Sequence, residues 1–189
     1  MNESSSKFKV GRAKFNFPPY HQEEPTSCGP ACLRMLAEWA GSEHPRTEKY
    51  WQDNSAWKEQ GLLPPKDMRA ALTKIREISL KGGPTKAEVA AWRADSALPA
   101  DATDRGTVYL LHTDSYDLDG VNIGHWIVLL DIIESRGPRH GQPRVHLARC
   151  ADPSSHEDEV SVWTWSSLLE SRVTHAFRVT RVPAAAGGS

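Results

Sequence analysis

Apolar residues in the first half of the chain recur at helical spacing. A stripe that begins at Cys28 and stops before Gly41 includes Ala31, Cys32, Met35, Leu36 and Trp39. With Pro30 near its start and a glycine after its end, this stripe predicts an amphipathic helix. Thr26 or Ser27, just upstream, is expected to cap it. Shorter patterns of the same kind predict helices at about 66–78 and about 85–94.

Beyond residue 107 the pattern becomes strand-like. Runs rich in β-branched and apolar residues predict five strands, at about 107–112, 124–133, 145–150, 160–165 and 173–182. The run from Gly124 to Ile133 is almost continuously apolar, which is typical of a strand buried on both faces. Helices followed by a series of strands predict an α+β fold with an antiparallel sheet.

The chain has the length of one domain. Its 189 residues can bury a substantial core. Residues 1–8 and 183–189 are polar or small and are predicted to be flexible tails around a single domain at 9–182. The only candidate linker, at 81–84, is too short to imply a second domain.

Charge and cysteine content restrict the class of partner and the compartment. The chain has 23 basic and 24 acidic residues, so it lacks the excess of positive charge that favours nucleic acids or anionic membranes. No apolar run approaches a membrane span, and the first residues do not form a secretory signal. An odd number of cysteines, three, favours reduced thiols and a cytoplasmic location. Delivery to another cell without a signal peptide stays open, as does the oligomeric state.

Cys28 is the first candidate for chemistry. A thiol at a helix N-terminus meets unpaired N–H groups and the positive end of the helix dipole, and both favour the nucleophilic thiolate. Gly29 beside it would leave space for a substrate backbone. The alternative is that Cys28 is a small buried hydrophobic residue. Cys32 lies one turn deeper in the stripe and is predicted to be core. Since a zinc site needs two more ligands and no second Cys/His pair is close in sequence, no metal is expected.

A nucleophilic cysteine needs a base and an orienting group. Among eight histidines, His125 stands out because it opens the most hydrophobic predicted strand. Asp152 follows the next strand, and antiparallel pairing would bring it near His125. Gln22, six residues before Cys28, could donate to an oxyanion together with the backbone N–H of Cys28. The alternatives are a strand-edge histidine with a backbone partner, an Asp-Pro turn and an exposed loop glutamine.

The segment 114–120 has the acidic pattern of a calcium loop. That pattern needs a bidentate acid six residues after Gly120, where this chain has Trp126. The segment is therefore predicted to be a polar loop leading to His125, or a lid over a cleft.

Four short segments together resemble a known family. HQEEPTSCGPACLRMLAEW, at 21–39, is similar to the active-site segment of papain-like cysteine peptidases. More narrowly, it resembles the bacteriocin-processing, double-glycine type and its free-standing relatives. In that group a glutamine precedes a Cys-Gly-Pro-Ala segment, and a Gly-His-hydrophobic strand and an Asp-Pro pair follow. The matching positions here are Gln22, 28–31, 124–128 and 152–153.

The resemblance implies a role for each matching residue. Cys28 would be the nucleophile, His125 the general base and then acid, Asp152 the group that orients His125, and Gln22 part of the oxyanion hole. The implied fold is papain-like, with the cysteine helix packed on a C-terminal sheet that bears the histidine and aspartate. The neighbouring residues Gly29, Gly124 and Trp126 are predicted to contact a peptide or protein substrate. No cofactor is expected.

Three functions are compatible with these residues. The first is hydrolysis of a peptide or isopeptide bond through a thioester. The second is another acyl transfer on the same residues, such as deamidation, transglutamination, ligation or amine acylation, including in a bacterial effector or toxin. The third is an inert binding module that keeps the fold. The middle tryptophans, Trp51, Trp57 and Trp92, either shape substrate access or belong to the core.

Overall fold

The structure is a computed structural model that describes residues 17–43, 47–57, 63–99, 101, 104, 106–118, 121–135, 145–155 and 160–183. The predicted tail at 1–8 lies outside these residues, and so does the predicted tail at 183–189 apart from Pro183. Within the described ranges, the structure has no helix whose length and apolar character would let it cross a membrane.

The described residues contain five helices. They are α1 (Cys28–Ala40), α2 (Glu48–Asn54), α3 (Pro65–Leu72), α4 (Lys86–Asp95) and α5 (Trp165–Glu170). The structure confirms the predicted helices at α1 and α4. Helix α4 begins with a capping box, in which the Thr85 hydroxyl accepts from the Glu88 N–H and the Glu88 carboxylate accepts from the Thr85 N–H. Local chemistry therefore defines its start.

Helix α1 runs through the centre of the fold. All of its residues are buried except Arg34 and Glu38. The helix ends at Gly41, which adopts the left-handed conformation with φ 79°. There the N–H groups of Gly41 and Ser42 donate to the carbonyls of Glu38 and Ala37, at 2.9 and 3.0 Å. A glycine at this position stops the helix and satisfies its last carbonyls.

Six strands form one antiparallel sheet. They are β1 (Ile78–Ser79), β2 (Thr107–Leu118), β3 (Val121–Ser135), β4 (Val145–Ala151), β5 (Val160–Thr164) and β6 (Val173–Arg181). Their order is β1-β6-β2-β3-β4-β5, and all neighbouring strands in this order run antiparallel. The predicted α+β class with an antiparallel sheet is therefore confirmed.

Hydrophobic side chains cover both faces of the sheet. Along β3, Trp126 and Val128 point to the face that carries α1, α2 and α3. Ile127 and Leu129 point to the opposite face, with α4 and α5. Because β3 is covered on both sides, it tolerates no polar alternation, which explains its continuous apolar run.

The predicted helix at 66–78 is wrong in its second half. Helix α3 ends at Leu72, and the Thr73 hydroxyl donates to the Ala70 carbonyl at 2.7 Å, a bond that competes with helix continuation. Ile78 then pairs with Arg181 of β6. Its apolar side chain fits either a helix stripe or a strand, and the neighbouring strand decides between them.

The predicted polar loop or lid at 114–120 is wrong for residues 114–118, whereas residues 119 and 120 lie outside the described part of the chain. Strand β2 continues to Leu118 and pairs with β3, which starts at Val121 rather than at Gly124. The register shifts between Thr113 and Tyr116, as at a β-bulge. The backbone hydrogen bonds between β2 and β3 form whatever the side chains are. The polar sequence of this segment therefore did not indicate a hairpin.

Two short helices had no clear signal in the sequence. Helix α2 has 7 residues and is capped by Thr47, whose hydroxyl accepts from the Tyr50 N–H at 3.2 Å. Helix α5 has 6 residues and begins at Trp165, where a strand was predicted. The Thr164 hydroxyl caps it by accepting from the Ser167 N–H at 3.1 Å. Helices this short carry less than two full turns of apolar pattern.

Replacement of Gly41 by alanine tests the end of α1. We expect Gly41→Ala to lower the free energy of unfolding by about 1–2 kcal/mol, because a side chain at positive φ is strained. The added Cβ would also lie 2.8 Å from Nη2 of Arg181. Urea unfolding measures the loss. Gly106→Ala is the matched control, since its nearest neighbour, Asp104 Oδ1, would be 3.9 Å away. Equal losses in both variants would contradict the prediction.

Candidate functional site

Cys28 is the first residue of α1, at the positive end of a nearly fully buried helix. Ser27 occupies the N-cap position, but its side chain makes no capping hydrogen bond, contrary to the prediction. The first turn also contains no acidic residue. The positive end of the helix dipole therefore acts on the thiol without compensation by a cap. Cys28 is 2% exposed, so this effect operates in a low-dielectric environment.

His125 lies on the buried strand β3, opposite Thr113 of β2. Because β3 begins at Val121, the expectation that His125 opens the strand is wrong. Pairing with Thr113 of β2 on one edge, and with β4 from Val128 onward on the other, holds the backbone near this point, and 6% of the residue surface is exposed. The sheet thereby presents the ring in one orientation.

Asp152 directly follows β4 and reaches the imidazole of His125. Residue Ala151 of β4 pairs with Val128 of β3, and this register brings the next residue to the histidine. The Nε2 atom of His125 lies 2.7 Å from Oδ1 of Asp152. Since Nε2 is occupied in this way, Nδ1 is the ring nitrogen that remains for another partner.

The Asp152 carboxylate has two further donors that sequence reasoning missed. The backbone N–H and the hydroxyl of Ser154 both donate to Oδ1, at 2.9 and 2.8 Å. The Ser155 N–H also donates to the carbonyl of Asp152, at 3.1 Å. The Asp-Pro turn was considered above as an alternative to a role at the site. The hydrogen bonds of this turn instead hold the Asp152 carboxylate in place. A serine two residues after an aspartate is a common turn signal and could have been recognised.

The Cys28 thiol and the Asp152 carboxylate both act on the imidazole of His125. Burial disfavours the charged imidazolium, but the hydrogen bonds and charges of Asp152 and Cys28 outweigh it and raise the pKa of His125. Burial also favours a neutral Asp152, whereas hydrogen bonds from His125 and Ser154 lower the pKa of its carboxyl. A thiol, an imidazole and a carboxylate thus come together from α1, β3 and the turn after β4.

Gln22 lies close to this turn, with its side chain engaged elsewhere. Its backbone N–H donates to the Pro153 carbonyl at 2.8 Å. Its amide nitrogen donates to the carbonyls of Glu24 and Pro25, at 2.9 and 2.7 Å. Both amide hydrogens are thereby used, and Oε1 is buried without a partner among the described residues. Donation from Gln22 to an oxyanion stays a prediction, and it requires one of these bonds to break.

Two of the three predicted substrate contacts do not fit the structure. A Cβ on Gly29 would lie 3.0 Å from Leu63 Cβ, so the space beside it holds core side chains and the expectation of room for a substrate is wrong. Trp126 is fully buried and donates from its indole to the Leu63 carbonyl at 2.7 Å, which excludes a substrate contact. Gly124 is half-buried next to His125, and its role stays a prediction.

Glu48 is a functional candidate that sequence reasoning missed. Its buried carboxylate accepts from the Glu23 N–H at 3.1 Å to each oxygen, and from the Ser27 hydroxyl. Burial raises the pKa of Glu48, while these hydrogen bonds lower it. Helix α2 therefore anchors the loop that leads into Cys28. An isolated glutamate in a short helix has no sequence signal that distinguishes it from a surface residue.

Of the three middle tryptophans, Trp51 and Trp92 pack in the core, and Trp57 holds the loop before Cys28. Trp51 and Trp92 are 1% and 5% exposed, which confirms the interpretation that they belong to the core. Trp57 is half-buried, and its indole donates to the Thr26 carbonyl at 3.0 Å. This bond is a second anchor on the loop before Cys28.

The other two cysteines lack the features of a nucleophile. Cys32 and Cys150 are fully buried and unpaired, and burial raises the pKa of both thiols. The Sγ of Cys32 lies 3.4 Å from the Trp126 carbonyl, within the core. Among the described residues, no group of three or more His, Cys, Asp and Glu side chains is suited to hold a metal ion.

His112 is a buried neutral neighbour of the site. Its Nδ1 lies 2.8 Å from the hydroxyl of Thr174. Burial lowers the pKa of His112 to about 4, the carboxylate of Asp114 opposes this shift, and the charge of His125 adds to it. At neutral pH the positive charge therefore resides on His125 and not on His112.

Neither a scan against models of protein families nor a search of curated proteins found a match to this chain. The chemistry of the site is therefore inferred from its own residues. These residues are a thiol, an imidazole whose pKa responds to that thiol, and a carboxylate hydrogen-bonded to the imidazole at 2.7 Å.

Glu48→Ala tests the anchor on the loop before Cys28. We expect the Glu23 amide to exchange its hydrogen with solvent at least about tenfold faster, because its acceptor is removed. Hydrogen exchange followed by NMR measures this rate. Gln52→Ala is the control, since it removes only a contact of 3.4 Å to the same carboxylate. Unchanged exchange in Glu48→Ala would show that the anchor has no role.

The buried neutral state of His112 predicts a pH dependence of stability. Between its ordinary pKa of 6.5 and its folded value of about 4, the unfolded chain binds a proton that the folded protein excludes. The free energy of unfolding should therefore fall by about 2–3 kcal/mol as the pH falls through this window. In His112→Asn, which keeps a partner for Thr174, most of this slope should disappear. Urea unfolding at several pH values measures it, and equal slopes in both proteins would refute the prediction.

Proposed function

We propose that the protein is a cysteine-dependent hydrolase of papain-like architecture that cleaves a peptide or isopeptide bond. The observation that carries the proposal is that the Cys28 thiol and the Asp152 carboxylate both act on the imidazole of His125, the carboxylate through a hydrogen bond of 2.7 Å. This arrangement combines a thiol at a helix N-terminus with a base and with a carboxylate that orients the base, which is the combination that nucleophilic catalysis requires. A binding module without catalytic activity would not need a thiol, an imidazole and a carboxylate in this arrangement.

The first half of the proposed reaction forms a thioester. The proton of the Cys28 thiol lies on Nδ1 of His125, and the resulting thiolate attacks the substrate carbonyl carbon. Asp152 accepts the hydrogen bond from Nε2 and stabilises the resulting imidazolium, in keeping with the raised pKa of His125. The imidazolium then gives its proton to the leaving nitrogen as the C–N bond breaks. The acyl group stays on the sulfur.

The second half returns the free enzyme. His125 takes a proton from water, whose oxygen attacks the thioester carbonyl. The C–S bond breaks, the carboxylic acid leaves, and the thiolate of Cys28 is restored beside the protonated imidazole of His125. In both halves, negative charge develops on the substrate oxygen near the N-terminus of α1, where uncapped backbone N–H groups stabilise it.

A reducing compartment such as the cytoplasm is the proposed location. The three cysteines, Cys28, Cys32 and Cys150, are all unpaired and buried. A catalytic thiol also has to stay reduced to act as a nucleophile. Disulfides persist mainly in oxidising compartments, so unpaired cysteines favour this location.

Alkylation by iodoacetamide tests the thiol–imidazole pair directly. We expect Cys28 to react at about pH 6, where an ordinary thiol is almost unreactive. In His125→Ala this reaction should slow about a hundredfold, because the stabilising imidazolium is lost. Asp152→Asn should slow it less, since the amide oxygen still accepts a hydrogen bond from the ring. Mass spectrometry of each cysteine reports the rates.

The same variants are then assayed on a peptide mixture in water labelled with heavy oxygen. Hydrolysis puts one labelled oxygen in the new carboxyl group, whereas transfer to another acceptor does not. Cys28→Ala should abolish cleavage, while Cys32→Ala keeps it, because Cys32 only packs in the core. Loss of cleavage in Cys32→Ala but not in Cys28→Ala, or an unreactive Cys28 in the wild-type protein, would overturn the proposal.

A further inference from the structure

An open groove runs along the outer edge of β6. It has a volume of about 700 Å³ and lies between the end of α3, the loop at 81–84 and the start of α4. Ala176 and Phe177 of β6 form part of its floor. Helix α3 packs on one face of the sheet and α4 on the other. The two helices therefore form the walls of the groove and the edge of β6 forms its base, and we call this groove the slot.

The backbone of β6 is without a strand partner along this slot. Strand β1 pairs only with Thr180 and Arg181, and no other described strand lies on that side. The Arg181 N–H donates toward β2, to Gly106, whereas the Val182 N–H donates toward β1. Because directions alternate along a strand, Ala176 directs its N–H and C=O into the slot. Such an edge is a template for an added strand.

The slot is strongly basic although the chain is nearly neutral overall. Four cations line it, one each from α3, the 81–84 loop, α4 and β6, namely Arg69, Lys81, Lys86 and Arg178. Among the described residues, none that lines the slot is acidic. Arg178 pairs with Asp101 at 2.7 Å, whereas the other three cations form no ion pair with a described residue. With a net charge of −1 for the whole chain, this concentration of unpaired positive charge is local.

We propose that this slot binds an acidic peptide segment in extended conformation, as an added strand beside β6. The open N–H and C=O groups of β6 suit a peptide backbone, which carries complementary groups at the same spacing. Side chains of an added strand alternate between the two faces, where Arg69 lies on one side and Lys86 on the other. A nucleic acid matches the charge but not the backbone hydrogen bonds.

The slot lies apart from the candidate site at Cys28 and His125. A strand added beside β6 lies three strand spacings, about 14 Å, from β3, which carries His125. The slot is therefore a docking site, and its existence does not depend on the proposed hydrolysis.

Peptide binding to the Cys28→Ser protein tests this inference without any cleavage. The probe is a fluorescent peptide of about eight residues with glutamate on both faces, and the control peptide has glutamine at each of these positions. Fluorescence anisotropy is expected to show saturable binding of the acidic peptide only. Two further acidic peptides carry N-methyl groups on alternate residues, one at the odd positions and the other at the even positions. Only the peptide whose methyl groups replace the N–H donors directed toward β6 should fail to bind.

Charge reversal in one helix provides the matched protein variants. Lys86→Glu should weaken binding at least about tenfold. Arg93→Glu makes the same change in net charge on the same helix but outside the slot, and should change binding less than about twofold. Both residues are exposed, so folding is preserved.

Two results would overturn the proposal. If the acidic peptide does not bind at about 1 mM, the cations serve only to prevent other strands from pairing with the open edge of β6, as in aggregation. Tighter binding of a single-stranded DNA oligonucleotide, with neither methylation frame affecting the peptide, would assign the slot to phosphate groups instead.

Discussion

The packing of α1 against β3 determines where the thiol of Cys28 lies relative to the imidazole of His125. Trp126, the residue after the histidine, donates from its indole to the Leu63 carbonyl at 2.7 Å, and its own carbonyl lies 3.4 Å from Sγ of Cys32. One buried residue thus ties the strand both to the helix and to the segment before α3. Since close-packed cores resist displacement, the helix cannot slide along the strand without breaking both contacts.

Two buried carboxylates hold the candidate site from different sides. Asp152 orients His125, and Glu48 holds the loop before Cys28 through the amide of Glu23. A buried carboxylate without donors would cost several kcal/mol, so each is stable only with its partners in place. The same bonds that satisfy the charges therefore fix the positions of the thiol and the imidazole. Pre-organisation of this kind lets a site act without rearrangement during the reaction.

Long apolar patterns predicted structure well, and short ones did not. The stripe of α1 and the continuous run of β3 span several turns or many pleats, so each specifies one periodicity. Helices α2 and α5, with 7 and 6 residues, are too short for that. Ile78 lies at helical spacing from Ile75 yet pairs with β6, because an available strand edge outweighed local preference.

Three properties of the candidate site could be predicted from local sequence: a thiol begins an apolar helix, a histidine lies in a buried strand, and an aspartate follows the next strand. These properties are local, since periodicity and turn residues act over a few positions. Other properties arise from contacts between distant segments: Cys28, His125 and Asp152 come together, nearby carbonyls use both amide hydrogens of Gln22, and Glu48 anchors the loop. The basic slot beside β6 also forms from segments that are distant in sequence. Such contacts depend on the packing of distant segments, and hydrophobic periodicity specifies which face of each segment is buried but not which partner covers it.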